Sequence, residues 1–216
     1  MPLITNDPPR PLLQRVFYRS IQWFTLGVFK IVFRYKYAHV DRLPMTGGAL
    51  ICPNHFSHLD PMAIGCIARR RVNFLAKKAL WSSWAFGKIL DALECIPIDR
   101  EATGIGGMKL TLKRLKKGES VVLFPEGERS FDGNLLPLMT GFTALVKRVK
   151  VPIIPVGIYG THEAWARGVS TPKPHKIRLV VGRPIPFCDM ESMSEEEMAD
   201  YVGKKIAACY EEARAL

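Results

Sequence analysis

The chain predicts a single α/β domain with a mixed, largely parallel sheet flanked by helices, and three observations carry that prediction. Short apolar runs alternate with longer amphipathic stretches along most of the 216 residues, the pattern of strands separated by crossover helices. Two runs, Ala49-Leu50-Ile51-Cys52 and Ser120-Val121-Val122-Leu123-Phe124, are apolar almost throughout and read as buried strands. No domain-scale linker, internal repeat or low-complexity tract interrupts the pattern, and an apolar share of 48% is enough for a full core.

Taken in order, strands are expected near 37–41, 49–53, 72–76, 95–99, 120–125, 152–159 and 176–182. Helices are expected near 12–34, 61–70, 79–92, 103–117, 137–149 and 194–214. The first helix, from Leu12 to Phe33, is rich in aromatics but interrupted by Arg15, Arg19, Gln22 and Lys30. Its apolar stretch between Arg19 and Lys30 is about half of the roughly 20 residues a spanning helix needs. Basic residues and Trp23 beside an apolar face suit a helix lying in a membrane interface. Residues 1–36 are therefore expected to form an amphipathic membrane-surface segment and 37–216 the main domain. A second stripe, from Val72 to Leu93, carries Trp81, Trp84, Phe86 and Ile89 among Lys77, Lys78 and Lys88. It reads either as core or as a contact with headgroups or an acyl chain. The last helix has a capping box, Ser194 with Glu197 three residues on, and Met198, Val202, Ile206 and Tyr210 recur as a packing stripe.

The net charge of +11 understates the basicity of most of the chain, because acids concentrate after residue 188. Such a surface favours an anionic partner: phospholipid headgroups, a phosphorylated substrate or coenzyme A. Nucleic acid is not expected, as the chain has no zinc-finger spacing, no RNP-like motif and no basic heptad region. Five cysteines at 52, 66, 95, 188 and 209 form no C-x-x-C pair and predict reduced thiols in a cytosolic setting. Residues 1–11 hold Asp7 and several prolines where a cleavable signal peptide would have an apolar run.

The chemistry concentrates in Asn54-His55-Phe56-Ser57-His58-Leu59-Asp60. These residues lie between the strand at 49–53 and a helix opening at Pro61, so one strand-to-helix corner holds both His55 and Asp60. A carboxylate there can fix the imidazole tautomer and leave the other nitrogen to take a proton from an alcohol. Ser57 lacks the G-x-S-x-G setting of a nucleophile and reads as a local hydrogen-bonding residue. His55, His58 and Asp60 do not match a metal-site spacing, so no metal is expected. The strand at 120–125 runs into Pro125-Glu126-Gly127-Glu128-Arg129-Ser130, where charge beside a glycine suits an anion or polar headgroup.

With these two blocks the sequence resembles the 1-acylglycerol-3-phosphate acyltransferases of the PlsC type. Asn54, His55 and Asp60 match the N-H-x-x-x-x-D signature, and Phe124 to Ser130 match F-P-E-G-x-R-S. Ile96-Pro97-Ile98-Asp99-Arg100 and Val151-Pro152-Ile153-Ile154-Pro155-Val156 are similar to two further blocks, and all four stand in the family's order. The resemblance implies transfer of an acyl chain from acyl-CoA or acyl carrier protein to the sn-2 hydroxyl of lysophosphatidate. It implies no cofactor beyond that co-substrate, and a membrane-associated enzyme on the cytoplasmic face. His55 would be the general base oriented by Asp60. Asn54, Arg100, Glu126, Gly127, Arg129 and Ser130 would serve substrate binding, the arginines by gripping phosphate. Glu128 stands where many relatives have Thr, and Leu138-Met139-Thr140 lacks a lysine that many carry. That departure leaves room for another lysolipid acceptor, such as a lyso-amino-lipid, with Lys77 as a substitute cation. A non-catalytic lipid-surface binder is the third expectation, disfavoured by the intact His55 and Asp60.

Overall fold

The computed structural model describes residues 11–82, 84–98 and 105–216. Asp99 and Arg100 lie outside the described residues, as do the side chains of Phe86 and Ile89 and the proline-rich start of the chain. The strands are β1 (Lys36–Ala38), β2 (Ala49–Pro53), β3 (Val72–Lys77), β4 (Ile96–Ile98), β5 (Ser120–Val122), β6 (Ile153–Tyr159) and β7 (Arg178–Val181). The helices are α1 (Leu12–Val32), α2 (Asp60–Ile67), α3 (Trp84–Ala92), α4 (Ile105–Lys116), α5 (Gly141–Val149), the single turn α6 (Thr161–Ala164) and α7 (Glu195–Ala215).

The strands form one seven-stranded sheet in the order β1-β7-β6-β2-β5-β3-β4. All neighbours are parallel except β6 and β7, so the mixed, largely parallel sheet is as expected. Side chains of β2 alternate between two cores, as the two-residue period of a strand demands. Ala49 and Ile51 join Phe29, Ala63, Ile64 and Ile67 on one face. Leu50 and Cys52 join Leu115, Phe142, Val146, Val202 and Ile206 on the other. The sheet is thus the middle of three layers, with α1 and α2 on one side and α4, α5 and α7 on the other. Gly157 lets α7 lie directly against β6, since a Cβ there would meet the main chain of Cys209 and Tyr210. The capping box of Ser194 and Glu197 is present at the start of α7.

Several boundaries differ from those expected, each for a local reason. The run at 120–125 is regular strand only to Val122; the Leu123 N–H makes one more bond, to the Ile51 carbonyl at 3.0 Å, before Pro125, which has no N–H for a ladder. The helix expected from 137 begins at Gly141, since the Met139 N–H is turned back to the Pro125 carbonyl at 2.9 Å. The segment at 79–92 divides into a 3₁₀ turn (Lys78–Ser82) and α3. The turn α6 has no periodic signature in the sequence and was not expected.

Helix α1 docks through polar groups as well as apolar ones. Gln22 is buried and donates to the carbonyls of Gly65 (2.8 Å) and Ala68 (2.7 Å), which lie in and just after the last turn of α2; such end carbonyls have no partner within their own helix. Arg19 donates to Gln22 Oε1 at 2.6 Å and to the Arg69 carbonyl at 3.2 Å. Phe29 packs into the core from the end of α1, and Phe33 and Tyr35 follow just beyond it. Leu13 (81% exposed), Trp23 (65%), Phe24 (74%) and Ile31 (83%) face outward. Among the described residues no helix is long and apolar enough to cross a membrane.

Candidate active site

The parallel register Ile51↔Val122 sets the carboxyl ends of β2 and β5 side by side, and each strand then leads into a loop. The β2 loop is Asn54 to Leu59. Asp60, at the start of α2, is fully buried and gathers that loop onto one oxygen. Its Oδ2 accepts the N–H groups of Phe56 (2.7 Å) and Ser57 (2.7 Å) and lies 2.9 Å from His55 Nδ1. With Oδ2 as acceptor, Nδ1 is the donor of this contact, the arrangement that in a neutral ring leaves the Nε2 lone pair facing away from Asp60.

The β5 loop holds the rest of His55. Glu126 Oε1 accepts the His55 N–H at 3.1 Å, and the His55 carbonyl accepts the Ser130 N–H at 2.9 Å. The Phe124 ring lies on the imidazole, centroids 3.9 Å apart and planes 24° from parallel. Main chain, ring edge and ring face of His55 are therefore each fixed by a different group.

Glu126 is buried, and its Oε2 has no partner. Burial pushes its carboxyl up to about 8, with the Asp60 charge adding to the effect, while the N–H groups of His55 and Leu136 oppose it. At neutral pH this side chain is mostly an uncharged acid. Gly127 turns the chain at φ +78, and a Cβ there would run into the Met139 side chain. Ser130 is buried; its hydroxyl donates to Asp132 Oδ1 at 2.9 Å and accepts the Gly133 N–H at 3.1 Å.

Arg129 is half-buried, and one guanidinium nitrogen, Nη1, has no hydrogen-bond partner. Desolvation and the nearby Arg167 cation both push its proton affinity down. Partial desolvation and the Arg129 charge also lower the pKa of His58, and Lys77, at the end of β3, acts in the same direction. Arg129 and Lys77 thus bring positive charge to bear on His58, beside His55 and Asp60, as an anion site requires. The segment after α6 closes against both loops. Ser57 Oγ donates to the Trp165 carbonyl at 2.7 Å. Arg167 bonds Glu128 Oε2 (2.9 Å) and the Arg129 carbonyl (3.0 Å) and stacks on Phe131 at 3.7 Å.

The structure brings together His55, Asp60, Glu126, Gly127, Arg129 and Ser130. Asn54, expected among the substrate contacts, is instead a brace. Its amide donates to the Ile158 carbonyl at 3.0 Å and accepts the Ile158 N–H at 2.7 Å, and it is fully buried. Each amide atom bonds β6, and burial keeps the side chain away from a ligand at the surface. Ser130 is likewise engaged within its own turn. Arg100 lies outside the described residues. Trp165 and Arg167 carry no local signal that would have singled them out. Among the described residues no cluster of three or more His, Cys, Asp or Glu side chains could hold a metal ion.

Known proteins resemble this arrangement in sequence and in shape. A family model described as Acyltransferase matches residues 34–159. The 1-acyl-sn-glycerol-3-phosphate acyltransferase of Bacillus subtilis is 28% identical over 163 residues, 75% of this chain and 79% of that one. The protein of the same name from Limnanthes alba is 31% identical over 157 residues, 71% of this chain but 55% of that longer one. The crystal structure of the 1-acyl-sn-glycerophosphate acyltransferase PlsC from Thermotoga maritima superposes with a TM-score of 0.84 at 24% identity, covering 98% of this chain and 85% of that one.

Proposed function

The chain belongs to the acyltransferase family, and on that premise we propose that it acylates the sn-2 hydroxyl of 1-acyl-sn-glycerol-3-phosphate to give phosphatidate. The donor is an acyl thioester, carried by coenzyme A or by acyl carrier protein. The names of the Bacillus and Limnanthes relatives support the acceptor. The observation that carries the chemistry is the 2.9 Å contact between His55 Nδ1 and the buried Asp60 Oδ2.

In this reading Nε2 of His55 takes the proton of the sn-2 hydroxyl as its oxygen attacks the thioester carbonyl. Asp60 holds the imidazole in the required tautomer and stabilises the imidazolium that forms. The C–S bond breaks as the ester C–O bond is completed, and the imidazolium returns its proton to the departing thiolate. No acyl-enzyme is needed, because the thioester is already activated. Arg129 and Lys77 supply the positive charge for the acceptor's phosphate.

Access to such a substrate fits a protein resting on a bilayer. The outward aromatics of α1 would enter the interface, with Arg15 and Lys30 at headgroup level. On this reading 1–36 is the membrane-associating segment, 37–216 is the acyltransferase domain, and the protein is peripheral on the cytoplasmic face.

A second reading, acylation of another lysolipid, is favoured by Met139. It covers Gly127 with a thioether near the position where the resemblance would place a lysine. Acyl transfer from labelled acyl-CoA and acyl carrier protein to lysophosphatidate, glycerol-3-phosphate, lysophosphatidylcholine and a lyso-amino-lipid decides between the two. Activity confined to lysophosphatidate and lost in His55→Ala is expected. Transfer to a zwitterionic acceptor favours the second reading, and vesicle binding without turnover on any acceptor returns the protein to a non-catalytic role.

A further inference from the structure

Of the two contacts described on the His55 ring itself, Asp60 and Phe124, the proposed reaction leaves Phe124 without a part. It stands just past β5, where Leu123 still bonds the Ile51 carbonyl at 3.0 Å, and its own carbonyl accepts the Gly127 N–H at 3.1 Å. Its ring is partly buried and packs against the core that holds Ile51, Ala63 and Ile154. The backbone of Phe124 is thus pinned on both sides, and its ring has a wall behind it. The exposed side of that ring is what the imidazole rests on, 3.9 Å away.

A single hydrogen bond from Nδ1 to Asp60 fixes where one edge of the imidazole sits, but not the tilt of the ring about that bond. A rigid aromatic face removes that remaining freedom. Its π-cloud also attracts the ring more strongly once it carries positive charge, as a base does while it holds the substrate's proton. The two effects act on the same step, one by geometry and one by charge.

We infer that Phe124 is a positioning residue for the acyl transfer, holding the plane of the His55 imidazole so that Nε2 meets the acceptor hydroxyl in line. The inference deepens the reading of His55 as general base and rests on it. It assigns this residue a role in turnover and none in binding the acceptor.

The experiment compares Phe124→Leu with Phe124→Tyr in the full chain, beside His55→Ala. Phe124→Leu is expected to lower kcat about tenfold, the worth of one good aromatic contact, with KM for lysophosphatidate within about twofold; Phe124→Tyr restores it. A second measurement needs neither variant to turn over. In the unsubstituted protein, with ¹³C-labelled histidine rings, the His55 C–H resonances should be displaced upfield, and that displacement should vanish in Phe124→Leu while those of His58 and His162, which lie near Trp165 and Phe56, stay in place. Full kcat in a folded Phe124→Leu, or a KM change that Phe124→Tyr does not repair, overturns the inference. An undisplaced His55 signal does so as well. Full activity in His55→Ala overturns the general-base reading beneath it, whereas the resonances test the stacking whatever the reaction proves to be.

Discussion

Glu126 accepts the main-chain N–H of His55 at 3.1 Å across 71 positions of sequence, so the acid expected among the substrate contacts also holds the loop that carries His55. One of its oxygens is engaged there, and the other is buried without a partner.

Because the Glu126 carboxyl is raised to about 8 by burial, Glu126→Gln mimics its dominant form at neutral pH and should keep kcat within about threefold. Glu126→Ala leaves the His55 N–H unpaired and should cost about 1–3 kcal/mol of stability. The folded-state pKa lies above the ordinary value of 4.5, so the neutral acid favours folding below that pH. This contribution is lost as pH rises through about 8. Melting curves of the wild type should therefore fall between those pH values, and those of Glu126→Gln should fall less.

Asp60→Asn keeps an oxygen for the N–H groups of Phe56 and Ser57 and for Nδ1 of His55 but loses the negative charge that would stabilise an imidazolium. Turnover should drop about 10²–10⁴-fold, with a loss of stability nearer 1–2 kcal/mol. A drop in turnover no larger than the loss of folded protein, measured by circular dichroism, argues against the dyad.

Ser57→Ala removes a hydroxyl that donates to the Trp165 carbonyl and accepts the Leu59 N–H at 3.2 Å. Stability should fall by about 1 kcal/mol and kcat by no more than a few-fold. Intact-mass spectra after mixing with an acyl donor should show no acylated protein; an acyl adduct lost in Ser57→Ala would require a covalent route.

Arg129→Lys keeps the charge but not the planar fork, and Arg129→Ala keeps neither. KM for lysophosphatidate should rise in both, by about 10–100-fold in the alanine variant, while hydrolysis of the thioester in the absence of acceptor stays unchanged. Equal KM values would remove Arg129 from phosphate binding.

Replacing Trp23 and Phe24 together by Glu should reduce binding to anionic vesicles at least about tenfold, since each aromatic buried in lipid is worth about 1.5–3 kcal/mol. Activity toward an acceptor short enough to be soluble should not change. Unaltered sedimentation with vesicles would place the lipid contact elsewhere on the molecule.

Much of this was legible in the chain because it was local. Strand identity followed from runs such as Leu50-Ile51-Cys52, and the start of α7 from Ser194 and Glu197. The meeting of His55 with Asp60 followed from one corner between a strand and a helix. What was hidden depends on pairing across the sheet. Asn54 reads as a ligand in a motif and proves a brace only once Ile158 of β6 lies beside it. Glu126 reads as a substrate-binding acid in a motif, and its burial against the His55 loop, which raises its carboxyl to about 8, shows only in the folded chain. Trp165 and Arg167 have no periodicity or spacing to mark them, since their place is set by a loop that returns over the site. The end of β5 at Val122 was masked because Leu123 and Phe124 are as apolar as the strand itself.

The register Ile51↔Val122 has a consequence for when the protein becomes active. The two loops that hold His55 come from strands 71 positions apart in register, and such non-local pairing is of the kind that slows the folding of parallel sheets. Before that pairing, the histidine has Asp60 within reach but neither Glu126, Ser130 nor Phe124 to steady it. If His55 is the base as proposed, a nascent or partly opened chain lacks the arrangement for proton transfer, and appearance of turnover during refolding should coincide with burial of the sheet's centre. Activity, in this molecule, is a clock for the closing of its middle strands.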